Sequence, residues 1–154
     1  MTERIYLDDM QPGQTFESGT VTVDADMIRR FAAEYDPQPF HLDDAAARGT
    51  LFRGLAASGW HTAALTMRLL VDGGLPIAGG IIGAGMDEVR WPAPVRPGDD
   101  LHLHIEVLEV RPSHSRPERG TAKVRVTTLN ARDEAVQMLV ANLVVLRQPN
   151  GGGA

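Results

Sequence analysis

Ser58-Gly59-Trp60-His61-Thr62-Ala63-Ala64-Leu65-Thr66-Met67-Arg68-Leu69-Leu70-Val71 runs into Asp72-Gly73-Gly74, and this stretch decides the fold. Ser58 is a natural N-cap, because its hydroxyl can accept from an amide that the first helical turn leaves without a partner. Gly73-Gly74 is a stop, since glycine readily takes the left-handed conformation that closes a helix. Between them Ala63, Ala64, Met67, Leu70 and Val71 recur at helical spacing as a wide apolar stripe. The spacing predicts the longest helix of the chain, from Ser58 to about Val71, and predicts it largely buried.

From Gly80 onward the periodicity changes to that of strands. Ile82 to Trp91 reads as one strand, stopped by Pro92 and Pro94. Leu101, Leu103, Ile105 and Val107 alternate along the next. Ala122 to Leu129 and Val136 to Leu146 give two more, joined by a turn at Asn130 to Glu134. On the N-terminal side, Pro12-Gly13 is a turn and Thr15 to Val23 a strand. Asp24 caps a helix in which Met27, Ile28, Phe31, Ala32 and Tyr35 share a face, and which must stop at Asp36 before Pro37. A short helical piece is expected around Asp43 to Arg48, then a loop with Gly49 and Gly54. One strand, helical segments and four consecutive strands imply an α+β domain, with a long helix packed on one curved antiparallel sheet. One domain over residues 1–148 is expected, followed by a frayed tail over 149–154 with nothing to bury.

Composition excludes several classes. The 154 residues are 43% hydrophobic, enough for one domain with a real core. A net charge of −5, with both signs spread along the chain, offers no electrostatic reason to bind nucleic acid or an anionic membrane. With no cysteine there is no disulfide, thiolate or cysteine-ligated zinc. No apolar run of signal-peptide or membrane-span length occurs, so a cytoplasmic location is the expectation.

Chemistry concentrates in Asp36-Pro37-Gln38-Pro39-Phe40-His41. Each proline pushes its predecessor out of the helical region, so Asp36 and Gln38 are expected extended. The result is a stiff turn carrying a carboxylate and an imidazole. Such a pair suits the activation of water, because histidine changes charge near neutral pH and a carboxylate accepts protons. As an isolated pattern it reads more simply as a helix end, a turn and a surface histidine. Ala57-Ser58-Gly59 adds a second element. The first amides of a helix lie at the positive end of its dipole, and at Gly59 no Cβ obstructs an approaching oxygen. That geometry can stabilise negative charge on a carbonyl oxygen; the alternative is an ordinary serine cap with a glycine placed for close packing.

Other polar clusters carry less. His61 is expected to face solvent or to make a supporting hydrogen bond. His102 and His104 share a strand face as metal ligands can, but no third ligand accompanies them, so no metal is expected. The glycines between Gly73 and Gly85 lack the Lys-Ser/Thr ending and the strand–helix order of a nucleotide loop. Arg111, Arg116 and Arg119 surround Ser113-His114-Ser115, reading as a solvated hairpin before an anion site. Phe31, Tyr35, Phe40, Phe52 and Trp60 cluster near the Asp/His segment, as walls of an apolar pocket or as core.

Together these residues resemble the MaoC-like dehydratase family, which includes the (R)-specific enoyl-CoA hydratases and has a hotdog fold. Asp36-x-Gln38-Pro39-x-His41 is similar to the family's Asp-x-Asn-Pro-x-His signature, and Ala57-Ser58-Gly59 to the segment that opens the central helix. Pro94-Val95-Arg96-Pro97-Gly98-Asp99 resembles the family's turn into a long strand. The chain departs from the pattern at Gln38 for Asn, Tyr35 for Gly and Ser58 for His. His61 stands where an aliphatic residue is usual, and Met67 where some hydratases carry a pocket serine.

The resemblance implies a hydratase or dehydratase acting on an enoyl thioester, with coenzyme A as part of the substrate and no other cofactor. Asp36 and His41 would hold the water, while Gly59, with Ser58 beside it, would serve the thioester carbonyl. It further implies a homodimer with the pocket at its interface. A thioesterase of the same fold and a non-catalytic acyl-thioester binder are the alternatives.

Overall fold

The computed structural model describes residues 3–149; residues 150–154, most of the expected tail, lie outside the described residues. After a short 3-10 turn at Leu7–Asp9 come β1 (Thr15–Val23), α1 (Ala25–Tyr35), α2 (Pro39–Leu42), α3 (Asp44–Ala47) and α4 (Gly59–Leu69). Four strands follow: β2 (Ile82–Arg90), β3 (Asp99–Pro112), β4 (Arg119–Leu129) and β5 (Ala135–Leu146). All pairings are antiparallel, in the order β1-β3-β4-β5-β2, with β2 at one edge. The architecture is the α+β arrangement expected, a helix set against a single five-stranded sheet.

Local signals account for most element ends. Asp24 caps α1, its carboxylate accepting from the Met27 amide at 2.8 Å. Ser58 caps α4 by accepting from the Trp60 amide. Past Leu69 the helix widens into a π-type turn, Leu70–Gly74, where Gly73 at φ 123° reverses the chain. In β3, Leu101, Leu103, Ile105 and Val107 are fully buried and alternate with more exposed residues, as period two requires.

The core has two parts. The larger packs Leu103, Ile105, Val124, Val126 and Leu143 against Leu69, Leu70 and Leu75. The smaller joins Val23, Ile28, Leu55, Ala57, Val95 and Leu101, and therefore ties α1 and the segment entering α4 to the end of the sheet. This second cluster positions the site.

Two expectations are corrected. Within the stiff turn expected, Pro39–Leu42 forms one helical turn, since proline suits the first helical position, and Gln38 before it is extended as expected. Asp36 itself is non-helical but not extended, at φ −153° and ψ 65°. The buried face of α4 is also different from the apolar stripe. His61, Thr62, Thr66, Leu69 and Leu70 face inward, whereas Ala64, Met67 (41% exposed) and Val71 (53%) face out. Hydrogen bonds explain the rotation. Thr66 Oγ1 lies 2.7 Å from Thr128 Oγ1 on β4 and accepts from Gln137 Nε2 on β5 at 2.9 Å. No helix of the described residues is long and apolar enough to cross a membrane.

Candidate active site

The last turn of α1 delivers Asp36, whose amide donates to the Ala32 carbonyl before Pro37 ends the helix. Two residues later Pro39 starts α2, and its turn directs His41 inward, 4% exposed. The connecting segment Leu55–Ala57 runs past both. The Ala56 amide donates to the Phe40 carbonyl, and the Ala57 amide to that of Val95. Outside it, Arg96 donates to the carbonyls of Phe52, Gly54 and Leu55, and the Leu55 amide donates to Asp44. A guanidinium serving three carbonyls of one loop fixes that loop, and with it the approach to α4.

His41 Nδ1 lies 2.6 Å from the Ala56 carbonyl oxygen. A carbonyl only accepts, so Nδ1 carries a proton and the ring turns its Nε2 toward the carboxylate. That atom is 3.3 Å from Asp36 Oδ2. Contact at this separation places a proton between ring and carboxylate, or a donor such as water beside them that serves each. The carboxylate is held from its other sides: Ser58 Oγ donates to Oδ2 at 2.7 Å and Gln38 Nε2 donates to Oδ1. Burial alone would raise the Asp36 carboxyl pKa. The hydrogen bonds from Ser58 and Gln38, with the imidazole of His41, outweigh burial and hold it below the ordinary carboxylate range. Asp36 is therefore ionised at neutral pH.

His41 and Gly59 line one cavity of about 220 Å³, together with Phe52, Thr62, Trp91 and Val136. Phe40 and Phe52 flank the imidazole. Among the described residues the Gly59 amide makes no backbone hydrogen bond outside its own helix. The bare Cα of Gly59 has a further reason: a Cβ there would come within 2.7 Å of the Trp91 ring. Ser58 is fully buried, and its hydroxyl is committed to Asp36 and the Trp60 amide rather than open to the cavity. It supports the carboxylate where direct contact with a substrate was the expectation.

His61 overturns the expectation of solvent exposure or a supporting hydrogen bond. It is 6% exposed, stacked on Phe31 with ring centroids 4.7 Å apart, and its buried Nδ1 has no partner among the described residues. The first turn of α4 points it back at α1 rather than outward. Burial pushes its pKa below 6.5, so the folded state refuses a proton that the unfolded chain accepts. As pH falls through that value stability is lost, down to the lower pKa of the folded form. His61→Phe is expected to remove this loss, so that wild type weakens more than the variant between about pH 7 and pH 5. Denaturant midpoints for both proteins at several pH values measure it, and parallel curves would contradict it.

The remaining candidates stand apart. His102 Nε2 is 3.5 Å from Asp133, and His104 Nδ1 is 2.7 Å from Glu17. Among the described residues no three His, Asp or Glu side chains gather as metal ligands. The arginine hairpin sits at the far end of β3 from the Val95 turn, and Arg111 pairs with Glu109. Sequence reasoning missed Trp91, Gln137 and Thr128; the one available signal was a glutamine inside the apolar run of β5.

A family model described as MaoC like domain matches residues 9–130. YdeM of Bacillus subtilis is 35% identical over 130 residues, which cover 84% of this chain and 91% of that protein. Among solved structures, a MaoC-like dehydratase from Rhodospirillum rubrum is 56% identical, with a TM-score of 0.92 over 94% of this chain and 99% of that one. The R-hydratase PhaJ1 of Pseudomonas aeruginosa is 31% identical, with a TM-score of 0.72 over 92% of this chain and 86% of its own.

Proposed function

This chain belongs to the MaoC-like family, and from that premise we propose that it is a hydratase or dehydratase of enoyl thioesters, coenzyme A esters foremost. The observation that carries the proposal is the 3.3 Å approach of Asp36 Oδ2 to His41 Nε2, with Nδ1 tied to the Ala56 carbonyl. A water resting to one side of that contact, within reach of both atoms, donates a hydrogen to the carboxylate and exchanges one with the ring nitrogen. Its lone pair is left to attack the β-carbon of the double bond. One group takes the water's proton as hydroxyl adds, and the pair returns a proton to the α-carbon, so the elements of water are conserved. The Gly59 amide, at the positive end of α4, would receive the thioester oxygen as charge builds on it. The thioester itself acidifies the α-position, so this chemistry calls on no metal or redox cofactor.

A second copy of the chain belongs in the same proposal. Edge strand β2 exposes Ile82 and Met86, with Trp60, Met67 and Val71 exposed on α4. An apolar edge of this kind is an aggregation hazard unless another chain covers it. We propose a homodimer formed there.

Loss of conjugated absorbance on adding enoyl-CoA tests the reaction, and release of free thiol instead would identify a thioesterase. The support from Ser58 has its own test. Ser58→Ala removes a donor that lowers the Asp36 pKa, so the acid limb of the turnover–pH profile should move to higher pH. Loss of the cap should also cost ~0.5–2 kcal/mol of stability. An unmoved acid limb would mean that Ser58 does not tune the carboxylate.

A further inference from the structure

Two tryptophans meet edge to face, ring centroids 5.2 Å apart, yet they line different cavities. Trp91 belongs to the 220 Å³ cavity of His41 and Gly59. Trp60 belongs to a second of about 340 Å³, whose walls include Met67, Leu70, Val126, Leu139 and Leu143. Thr62 lines the first and Thr66 the second. The second also takes Trp60, Ala63 and Met67 from the length of α4, so the two cavities lie on adjacent faces of that helix.

The Trp91 indole is held in place. One side lies against Gly59, so closely that no side chain fits between. Its Nε1 donates at 2.9 Å to Gln137 Oε1. Gln137 is fully buried, and its Nε2 donates to Thr66 Oγ1, which also approaches the Thr62 carbonyl and Thr128 Oγ1. An indole N–H only donates, so the glutamine must present its oxygen to Trp91 and its nitrogen to Thr66. Every group in the chain is then satisfied in one arrangement. The ring is a fixture rather than a flap.

We propose that Trp91 is the wall that ends the acyl pocket, which restricts the enzyme to short acyl groups; this rests on the hydratase reading. Ligand pockets commonly span ~300–1,000 Å³, and the space that reaches His41 falls below that range. The larger apolar volume lies on the other side of the tryptophan pair, and the second copy proposed above would close its outer wall at Trp60, Met67 and Met86. Removing the indole joins the two and gives a longer chain somewhere to go. Trp91 is partly exposed, so truncation need not unmake the core.

The experiment compares kcat/KM for crotonyl-CoA and octenoyl-CoA in wild type, Trp91→Ala and Trp91→Leu. Wild type should favour the crotonyl ester. Trp91→Ala should raise the octenoyl-to-crotonyl ratio by ~10-fold or more, the scale on which apolar pockets discriminate by added methylenes. Trp91→Leu should shift it in the same direction, and it decides the matter if the alanine variant does not fold. An unchanged ratio in the folded variants, or a wild type that favours octenoyl-CoA, would overturn the proposal. If wild type turns over no thioester, the hydratase reading has failed. The wall is then read from the relative affinities of butanoyl-CoA and octanoyl-CoA in wild type and variants, measured by calorimetric titration. Equal ratios there would remove it.

Discussion

Asp36→Asn is expected to lower turnover of enoyl-CoA by roughly 100-fold to 10,000-fold while leaving the fold intact. An amide at this position still accepts the Ser58 hydroxyl, so the link between α1 and α4 survives. What disappears is the charge. Without it, the oxygen opposite His41 Nε2 attracts a water's hydrogen only as a neutral acceptor, and the pair has one member fewer to take up a proton. His41→Ala should be at least as severe, because it also releases the Ala56 carbonyl from its donor. Circular dichroism and thermal melting separate lost chemistry from lost structure. If both variants retain full activity, water is activated elsewhere.

Gly59→Ala is the second large effect. The added methyl would fall 2.7 Å from Trp91 Cε2 and within 3.0 Å of two further ring atoms. The indole must move or α4 must tilt, at a cost of ~1–3 kcal/mol for overpacking, about 2–4 °C of Tm per kcal/mol in a domain of this size. Turnover should fall as well, because the same shift moves the first amides of α4. The collision can be told from loss of glycine's backbone freedom. Gly59→Ala combined with Trp91→Ala should be more stable than the sum of the single changes indicates, since the second relieves the first. Strict additivity would assign the damage to the backbone instead.

The elements were legible where their causes are local. Asp24, Ser58, Pro37 and Gly73 act within a few positions of themselves, and the helix ends fall where they direct. The alternation of Leu101, Leu103, Ile105 and Val107 likewise needs no partner strand to be read. Asp36 and His41 could be paired from sequence because two prolines leave the intervening backbone little freedom. Contacts made between distant segments were not legible. The outward turn of Met67 follows from Thr66 meeting Thr128 and Gln137, and nothing near Met67 announces it. Burial of His61 depends on Phe31 arriving from another helix. Ser58 could be seen as a cap, but its bond to Asp36 spans 22 positions. Gly59 could be seen as a bare amide; the ring that demands it comes from beyond β2.

The threonine–glutamine cluster beneath α4 has a consequence for how this protein tolerates change. Oily contacts are forgiving of a cylinder that spins about its own axis, whereas directional bonds are not. Thr66, Thr128 and Gln137 therefore act as a key that sets the azimuth of the central rod. Trimming leucines nearby should soften the molecule without re-aiming the amide at its tip. Loss of one hydroxyl from the key, hardly altering volume, would let the rod swivel and misdirect it.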